Sequence, residues 1–408
     1  MARLKKAISQ FLLGLEKDFH TFRREFNRFR RDRPFDIVPY LAYGSAKRVY
    51  LKGRVMEDKS ISVATPDTPR WRNFVNTYKR FVNDKVADAR LEIDFAGVKH
   101  EVKTDAKGYY ETWLEPPADF IPRALWQEVT ITLLEPRRDE TAPTSAVGSV
   151  LIPSQGAQFG VISDMDDTVI QTDVTKWLRV IGTVLFGNAY TRLPFKGVAA
   201  FYSALQKGTQ REVQENGNPL FYVSSSPWNL YDLILRLLNI EGIPLGPIML
   251  RNWRGGGGEL FPSEHGSFKK GEVQRILDTY PDLPFILIGD SGEQDPEIYR
   301  DVVNDFPGRI LAVYIRNVSG SDERTASIHA LAEDIGERGS KLVLADDTLA
   351  AAKHAADEGW ILEEAIAAVR AQKTKDDAFF EDHEETVATV FESPSDAPDL
   401  SKPAKAQP

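Results

Sequence analysis

The sequence predicts an α/β protein in which a helix-covered parallel sheet follows a small antiparallel β-sandwich. Two patterns predict it. Residues 45–152 hold short alternating apolar and polar runs broken by turn residues, whereas from Phe159 onward apolar runs alternate with helical stretches. Length and composition agree. A chain of 408 residues that is 42% hydrophobic and 27% charged is enough for two or three domains with sizeable cores.

In the β-rich part, Lys47 to Val55, Arg90 to Phe95 and Lys99 to Thr104 each read as a strand. Asp105-Ala106-Lys107-Gly108 supplies a turn before Tyr109 to Leu114, and Glu128 to Leu134 and Ala146 to Ile152 complete the set. No catalytic grouping stands out there, so packing or binding is its expected role. In the second part, Phe159 to Ile162, Leu220 to Val223, Phe285 to Ile288 and Ile310 to Ile315 read as buried strands. Leu230 to Leu238 and Gly271 to Leu277 read as helices between them. The unit is expected over residues 155–340, followed by an Ala-rich helix over 342–373. Residues 376–400 hold nine acidic and no basic residues, which predicts a disordered acidic tail over 376–408.

Charge and residue usage exclude several function classes. The net charge of −9 argues against nucleic-acid binding by the whole chain, because phosphate backbones recruit basic surfaces. The absence of cysteine excludes disulfide scaffolds, zinc-thiolate sites and Cys nucleophiles, and a cytoplasmic setting fits. No run of about 18 uncharged apolar residues is present, and Phe11 to Leu15 is followed at once by Glu16, Lys17 and Asp18, so neither a membrane span nor a secretory leader is expected. Residues 1–33 differ from the rest, with ten Lys/Arg against four Asp/Glu. Phe11, Leu15, Phe19, Phe22, Phe26 and Phe29 recur there at helical spacing. Such a basic amphipathic helix either packs its Phe stripe on the neighbouring domain or lies peripherally on an anionic membrane surface.

The residues that carry chemistry cluster after the apolar strands. Asp164-Met165-Asp166-Asp167-Thr168 directly follows the first of them. Side chains at the carboxyl end of a parallel strand face the ligand crevice. Carboxylates packed there repel one another, and a divalent cation such as Mg²⁺ offsets that repulsion. A calcium loop fails at Thr168, Val169 and Thr175, whereas a helix N-cap cluster remains open on this motif alone. Ser224-Ser225-Ser226-Pro227-Trp228 ends the second strand with hydroxyls and free amides that suit a phosphate. Phe268-Lys269-Lys270 opens the helix running to Leu277, and Gly289-Asp290-Ser291-Gly292-Glu293-Gln294-Asp295 ends the third strand with a further carboxylate pair. No GKS or GKT phosphate loop occurs, which excludes nucleotide hydrolysis by that route.

This ordered set resembles the haloacid dehalogenase superfamily of phosphotransferases, with its Rossmannoid parallel sheet. The finer resemblance is to the catalytic domain of the actin-patch-type phosphatidate phosphatases, relatives of the lipins. It rests on Ile162 to Thr168, Leu193 to Gly197, Tyr222 to Tyr231, Lys269, Tyr280-Pro281, Ile288 to Tyr299 and Pro307 to Arg316. It covers roughly residues 155–320. The four glycines at 255–258 have no counterpart in that pattern and read as a flexible surface loop or as a lid.

The resemblance implies that Asp164 is the nucleophile that forms an aspartyl-phosphate and that Asp166 is the general acid and base. It implies Mg²⁺ held by Asp164, the Asp166 carbonyl and Asp290, with Asp295 supporting the metal waters. Lys269, Ser224 and Ser225 would bind the transferring phosphoryl group. The implied substrate is phosphatidate, a phosphorylated lipid cleaved to diacylglycerol and phosphate. Two alternatives stand beside it: a soluble phosphomonoester, and a non-catalytic lipid-binding module, against which the presence of both Asp164 and Asp166 argues.

Overall fold

The computed structural model describes residues 35–57, 85–137, 144–165, 196–209, 217–251 and 263–381. The basic segment at 1–33, the glycine loop at 255–258 and the acidic stretch beyond residue 381 lie outside the described residues. Among the described residues no helix is long and apolar enough to cross a membrane.

Eight strands form the first sheet: β1 (Phe35–Pro39), β2 (Ala42–Gly44), β3 (Val49–Glu57), β4 (Arg90–Phe95), β5 (Val98–Lys103), β6 (Tyr109–Leu114), β7 (Trp126–Glu135) and β8 (Ser145–Leu151). The order is β1-β3-β2-β8-β7-β4-β5, with β6 on the free side of β3. Pairing is antiparallel except between β2 and β8. Alternation drives it. In β4 Leu91, Ile93 and Phe95 point inward while Arg90, Glu92 and Asp94 point outward, and the inward set joins Val49, Leu51, Val129 and Ile131 in one core.

The sandwich of two sheets expected over residues 45–152 is corrected to one continuous sheet that begins at Phe35. Of the two strands that the sequence left unassigned, β1 pairs with β3, and β2 carries the hydrogen bonding from β3 across to β8. The sheet curls until its ends meet. β5 lies beside β6, and the Thr112 hydroxyl is 3.1 Å from His100 Nε2.

The second sheet has six strands, β9 (Gly160–Asp164), β10 (Leu220–Pro227), β11 (Ile248–Arg251), β12 (Phe285–Asp290), β13 (Ile310–Arg316) and β14 (Lys341–Ala345). They are all parallel, in the order β11-β10-β9-β12-β13-β14. Among the described residues seven α-helices accompany it: α1 (Val198–Lys207), α2 (Tyr231–Ile240), α3 (Ser263–Thr279), α4 (Asp295–Asp305), α5 (Asp322–Glu337), α6 (Thr348–Asp357) and α7 (Glu364–Glu381). Both faces are apolar. Val161, Tyr222, Ile286 and Tyr314 pack on one side against α1, α2, α6 and α7, whereas Ile162, Phe221, Leu287 and Val313 pack on the other against α3, α4 and α5.

The parallel unit does not end near residue 340. The region assigned to a single helix over 342–373 is β14 followed by two helices, because β14 pairs with β13 and the Ala-rich α6 and α7 cover the same face as α1. Residue 376, the expected start of a tail, belongs to α7, which runs to Glu381. Asp376 is buried on α7, and its carboxylate accepts the Gly197 N–H at 2.9 Å, while the Gln372 amide oxygen accepts the Ala200 N–H at 2.7 Å. These amides are unpaired donors of the first turn of α1, so α7 caps α1 across the fold. The two sheets also join through a ring cluster. Tyr40 stacks on Trp228 at 5.0 Å and lies 4.0 Å from Tyr231, whose hydroxyl accepts the Leu41 N–H at 2.6 Å.

Replacing Asp376 by Ala is expected to lower stability by about 1–2 kcal/mol, the worth of a helix N-cap, in urea denaturation of the full chain. An unchanged midpoint would place residue 376 outside the folded unit.

Candidate active site at the carboxyl edge of the parallel sheet

Counting the strands of the second sheet in chain order from β9, the spatial order is three, two, one, four, five, six, so the chain reverses direction between β9 and β12. A sheet of this kind opens a ligand crevice beyond the carboxyl ends of the strands at that reversal. Asp164 is the last residue of β9 and Asp290 the last residue of β12. Lys269 reaches them from α3, with its ammonium almost wholly buried.

The Lys269 Nζ lies 2.7 Å from Asp164 Oδ1, 2.6 Å from Glu293 Oε2 and 3.1 Å from Asp295 Oδ1. Burying an ammonium is unfavourable by several kcal/mol unless it is paired, and here it is paired three times. Asp290 sits in a tight turn, where its Oδ1 accepts the N–H groups of Gly292 (2.7 Å) and Glu293 (3.2 Å). Asp295 opens α4 and is fully buried. Its Oδ2 accepts the Asp290 N–H at 3.1 Å, so the pair is locked backbone to side chain. Burial pushes the Asp295 carboxyl up to about 6; Lys269 opposes that shift and the charge of Asp290 adds to it.

Asp164, Asp290 and Asp295 each bring a carboxylate oxygen to within 4.8 Å of the others. With Glu293 they set four carboxylates around one ammonium, and the excess of negative charge favours a further cation. Hard oxygen donors of this type suit Mg²⁺. Asp164 and Asp290 fit as direct ligands. Asp295 fits as a support, since both its oxygens already accept hydrogen bonds.

Asp164 is also fixed from below. Tyr202 of α1 and Ser163 hold their hydroxyls 2.7 Å apart, and Ser163 Oγ donates to the Asp164 carbonyl at 2.9 Å. A small cleft opens beside Asp164 and Asp290, walled by Met165, Phe201, Tyr202 and Arg316 among others.

Ser224 and Ser225 stand on β10 one and two residues past the Val223–Asp164 pair, at the same edge of the sheet. Ser224 is buried, and its hydroxyl accepts the Ser226 N–H at 3.1 Å. Thus the contacts unite Asp164, Lys269, Asp290 and Asp295, with the two serines on the adjoining strand; Asp166 lies outside the described residues. Lys270 is separate and pairs with Asp305 at 2.9 Å. Sequence reasoning gave Glu293 no role. Its signal was its place in the Asp290–Asp295 turn, three residues past one carboxylate and two before the other.

Fold and site together define a parallel α/β domain with a carboxylate–lysine centre at its topological switch point. Residues 159–317 match the family described as "Phosphatidate phosphatase APP1, catalytic domain". Over 248 residues, 59% of this chain, the sequence is 29% identical to Phosphatidate phosphatase APP1 of Saccharomyces cerevisiae, covering 40% of that protein. An uncharacterized protein of Schizosaccharomyces pombe is 29% identical over 162 residues, 39% of this chain and 25% of its own length. The chain therefore spans less than half the length of these curated relatives. Among solved structures, a β-glucuronidase of Parabacteroides merdae and the PilB minor pilin of Streptococcus sanguinis align over 74% and 71% of this chain. They cover 39% and 88% of those chains, at 10% and 11% identity and TM-scores of 0.22 and 0.24, too low to mark a shared fold.

A Cβ placed on Gly289 would sit 2.4 Å from Asp295 Oδ2, whereas one on Gly271, in α3, would meet nothing within 4 Å. Gly289→Ala is therefore expected to destabilise the chain by about 1–3 kcal/mol, and Gly271→Ala to stabilise it by about 0.5–1 kcal/mol. Denaturant midpoints of the two variants check the opposite signs.

Proposed function

We propose that the chain is a Mg²⁺-dependent phosphatase that hydrolyses phosphatidate to diacylglycerol and phosphate through an aspartyl-phosphate. The observation that carries this reading is the Lys269–Asp164 ion pair at the sheet's switch point, with Asp290 on the next strand. The family match of residues 159–317 and the similarity to the yeast enzyme support the substrate. The haloacid dehalogenase type of sheet belongs to this proposal too, supported by the parallel order and by carboxylates ending both β9 and β12.

On this reading Asp164 attacks phosphorus and the bond to the glycerol oxygen breaks. Asp166, whose role comes from the family resemblance, protonates that leaving oxygen. In the second half-reaction the same carboxylate takes a proton from the attacking water, which releases phosphate and restores Asp164. Lys269 steadies the nucleophile and offers positive charge to the phosphoryl oxygens, and Ser224 and Ser225 bind those oxygens from β10. Asp164 and Asp290 would hold Mg²⁺, which supplies charge neutralisation of the phosphoryl group. Asp295 keeps Lys269 and the Asp290 backbone in place. The segment at 1–33 gives the cytoplasmic chain a peripheral hold on an anionic membrane, supported by its Phe and Arg content.

Phosphate release from phosphatidate in detergent micelles is expected to need Mg²⁺ and to fall by about a thousandfold or more in Asp164→Asn. Release from a generic aryl phosphate but not from phosphatidate would keep the chemistry and move the substrate to soluble phosphomonoesters. Silence on both, in a folded and Mg²⁺-loaded sample, would leave a lipid-binding module.

A further inference from the structure

Arg324 of α5 is absent from the chemistry above, yet its guanidinium donates two hydrogen bonds to the turn that carries Asp290. Its Nε donates to the Ser291 carbonyl at 2.9 Å and its Nη2 donates to the Glu293 carbonyl at 2.6 Å. A fork to the Glu297 carboxylate on α4, through Nη1 and Nη2, fixes the plane of the group. The same turn is held from a second side, where the Ser291 hydroxyl accepts the N–H groups of Val318 (2.8 Å) and Ser319 (3.0 Å).

The Ser291 carbonyl and the Gly292 N–H belong to one peptide unit. Arg324 grips the oxygen of that unit, and Asp290 Oδ1 accepts its hydrogen on the other side. A cation hydrogen-bonded to the carbonyl polarises the peptide and strengthens the N–H as a donor. We infer that Arg324 is a positioning residue for the Asp290 carboxylate, acting through the Ser291–Gly292 peptide, and that it thereby sets the affinity of the site for a divalent cation. The affinity claim rests on the metal reading above; the positioning claim does not. The linkage has a built frame. Ser321 caps α5 by accepting the Arg324 N–H, so the helix that presents the guanidinium starts beside the turn it holds. Groups that orient a metal-binding carboxylate typically change metal affinity by 10–100-fold when removed.

The test uses the full chain with Mn²⁺ as probe, its affinity read by calorimetry, together with hydrogen exchange of the peptide spanning residues 289–295. Arg324→Ala is expected to weaken Mn²⁺ binding by about tenfold or more and to speed exchange at Gly292 and Glu293. Arg324→Lys, which keeps the charge but loses the fork, should fall between Ala and wild type, and it decides the matter if Arg324→Ala fails to fold. Arg338→Ala, on an exposed residue past the end of the same helix, should change neither readout. Unchanged exchange in a folded Arg324 variant would overturn the positioning claim. Faster exchange with unchanged Mn²⁺ affinity would overturn its link to the cation. A wild type that binds no Mn²⁺ would remove the metal reading and the affinity claim together, while the exchange result still decides the positioning.

Discussion

One buried ammonium organises the site. Lys269 is the common partner of Asp164, Glu293 and Asp295, which come from a strand end, a turn and a helix start. Without it, those carboxylates would repel one another in a region with little water to screen them. With it, they still outnumber positive charge, so the arrangement is held together and yet remains receptive to a further cation. The interior of the parallel sheet is apolar on both faces, and charge is admitted only where its strands stop.

The rest of the fold can be understood as support for that edge. Strand order brings β9 and β12 side by side, and each ends in a carboxylate. Helices α3 and α4 lie on one face and deliver Lys269 and Asp295 toward the same point. On the other face α1 delivers Tyr202 beneath Ser163. The curled sheet presses Tyr40 onto Trp228, two residues past Ser226, and Lys52 places its ammonium 4.7 Å from the centre of the same indole. Thus the antiparallel part contacts the chain just past Ser224–Ser226 and not merely an outer surface.

Much of this was readable from residues alone, for a physical reason. Strands with full alternation, such as Arg90–Phe95 and Tyr109–Leu114, and continuous apolar runs, such as Ile310–Ile315, announce themselves because burial dictates their pattern. Several shorter elements do not. β2 and β11 are too short to show a period, and β14, Lys341–Ala345, merges into the Ala-rich stretch that follows. Missing β2 also hid the continuity of the first sheet, since that strand makes the bridge between β3 and β8. Asp164 and Asp290 were readable because each lies where a strand stops, and Asp295 because it closes the turn that follows β12. Glu293 and Arg324 were not, because their partners depend on how the Asp290–Asp295 turn meets Lys269 of α3, 24 residues earlier, and α5, which begins some 30 residues later. No spacing in the sequence encodes that encounter.

The cap that α7 places on α1 has a consequence for how the chain comes into being. Gly197 and Asp376 are 179 residues apart, and β12, which pairs with β9, begins more than 120 residues after it. Contacts this distant close slowly, because loop entropy must be overcome before they reward the chain. During synthesis from the N-terminus, the curled sheet can form while the ribosome is still reading the parallel unit. The strand that ends in Asp164 must then wait for β12, and α1 for a helix near the last of the described residues. Until residue 376 has emerged, α1 lacks the cap that α7 supplies, and the face of the sheet that these helices share is the last to be closed.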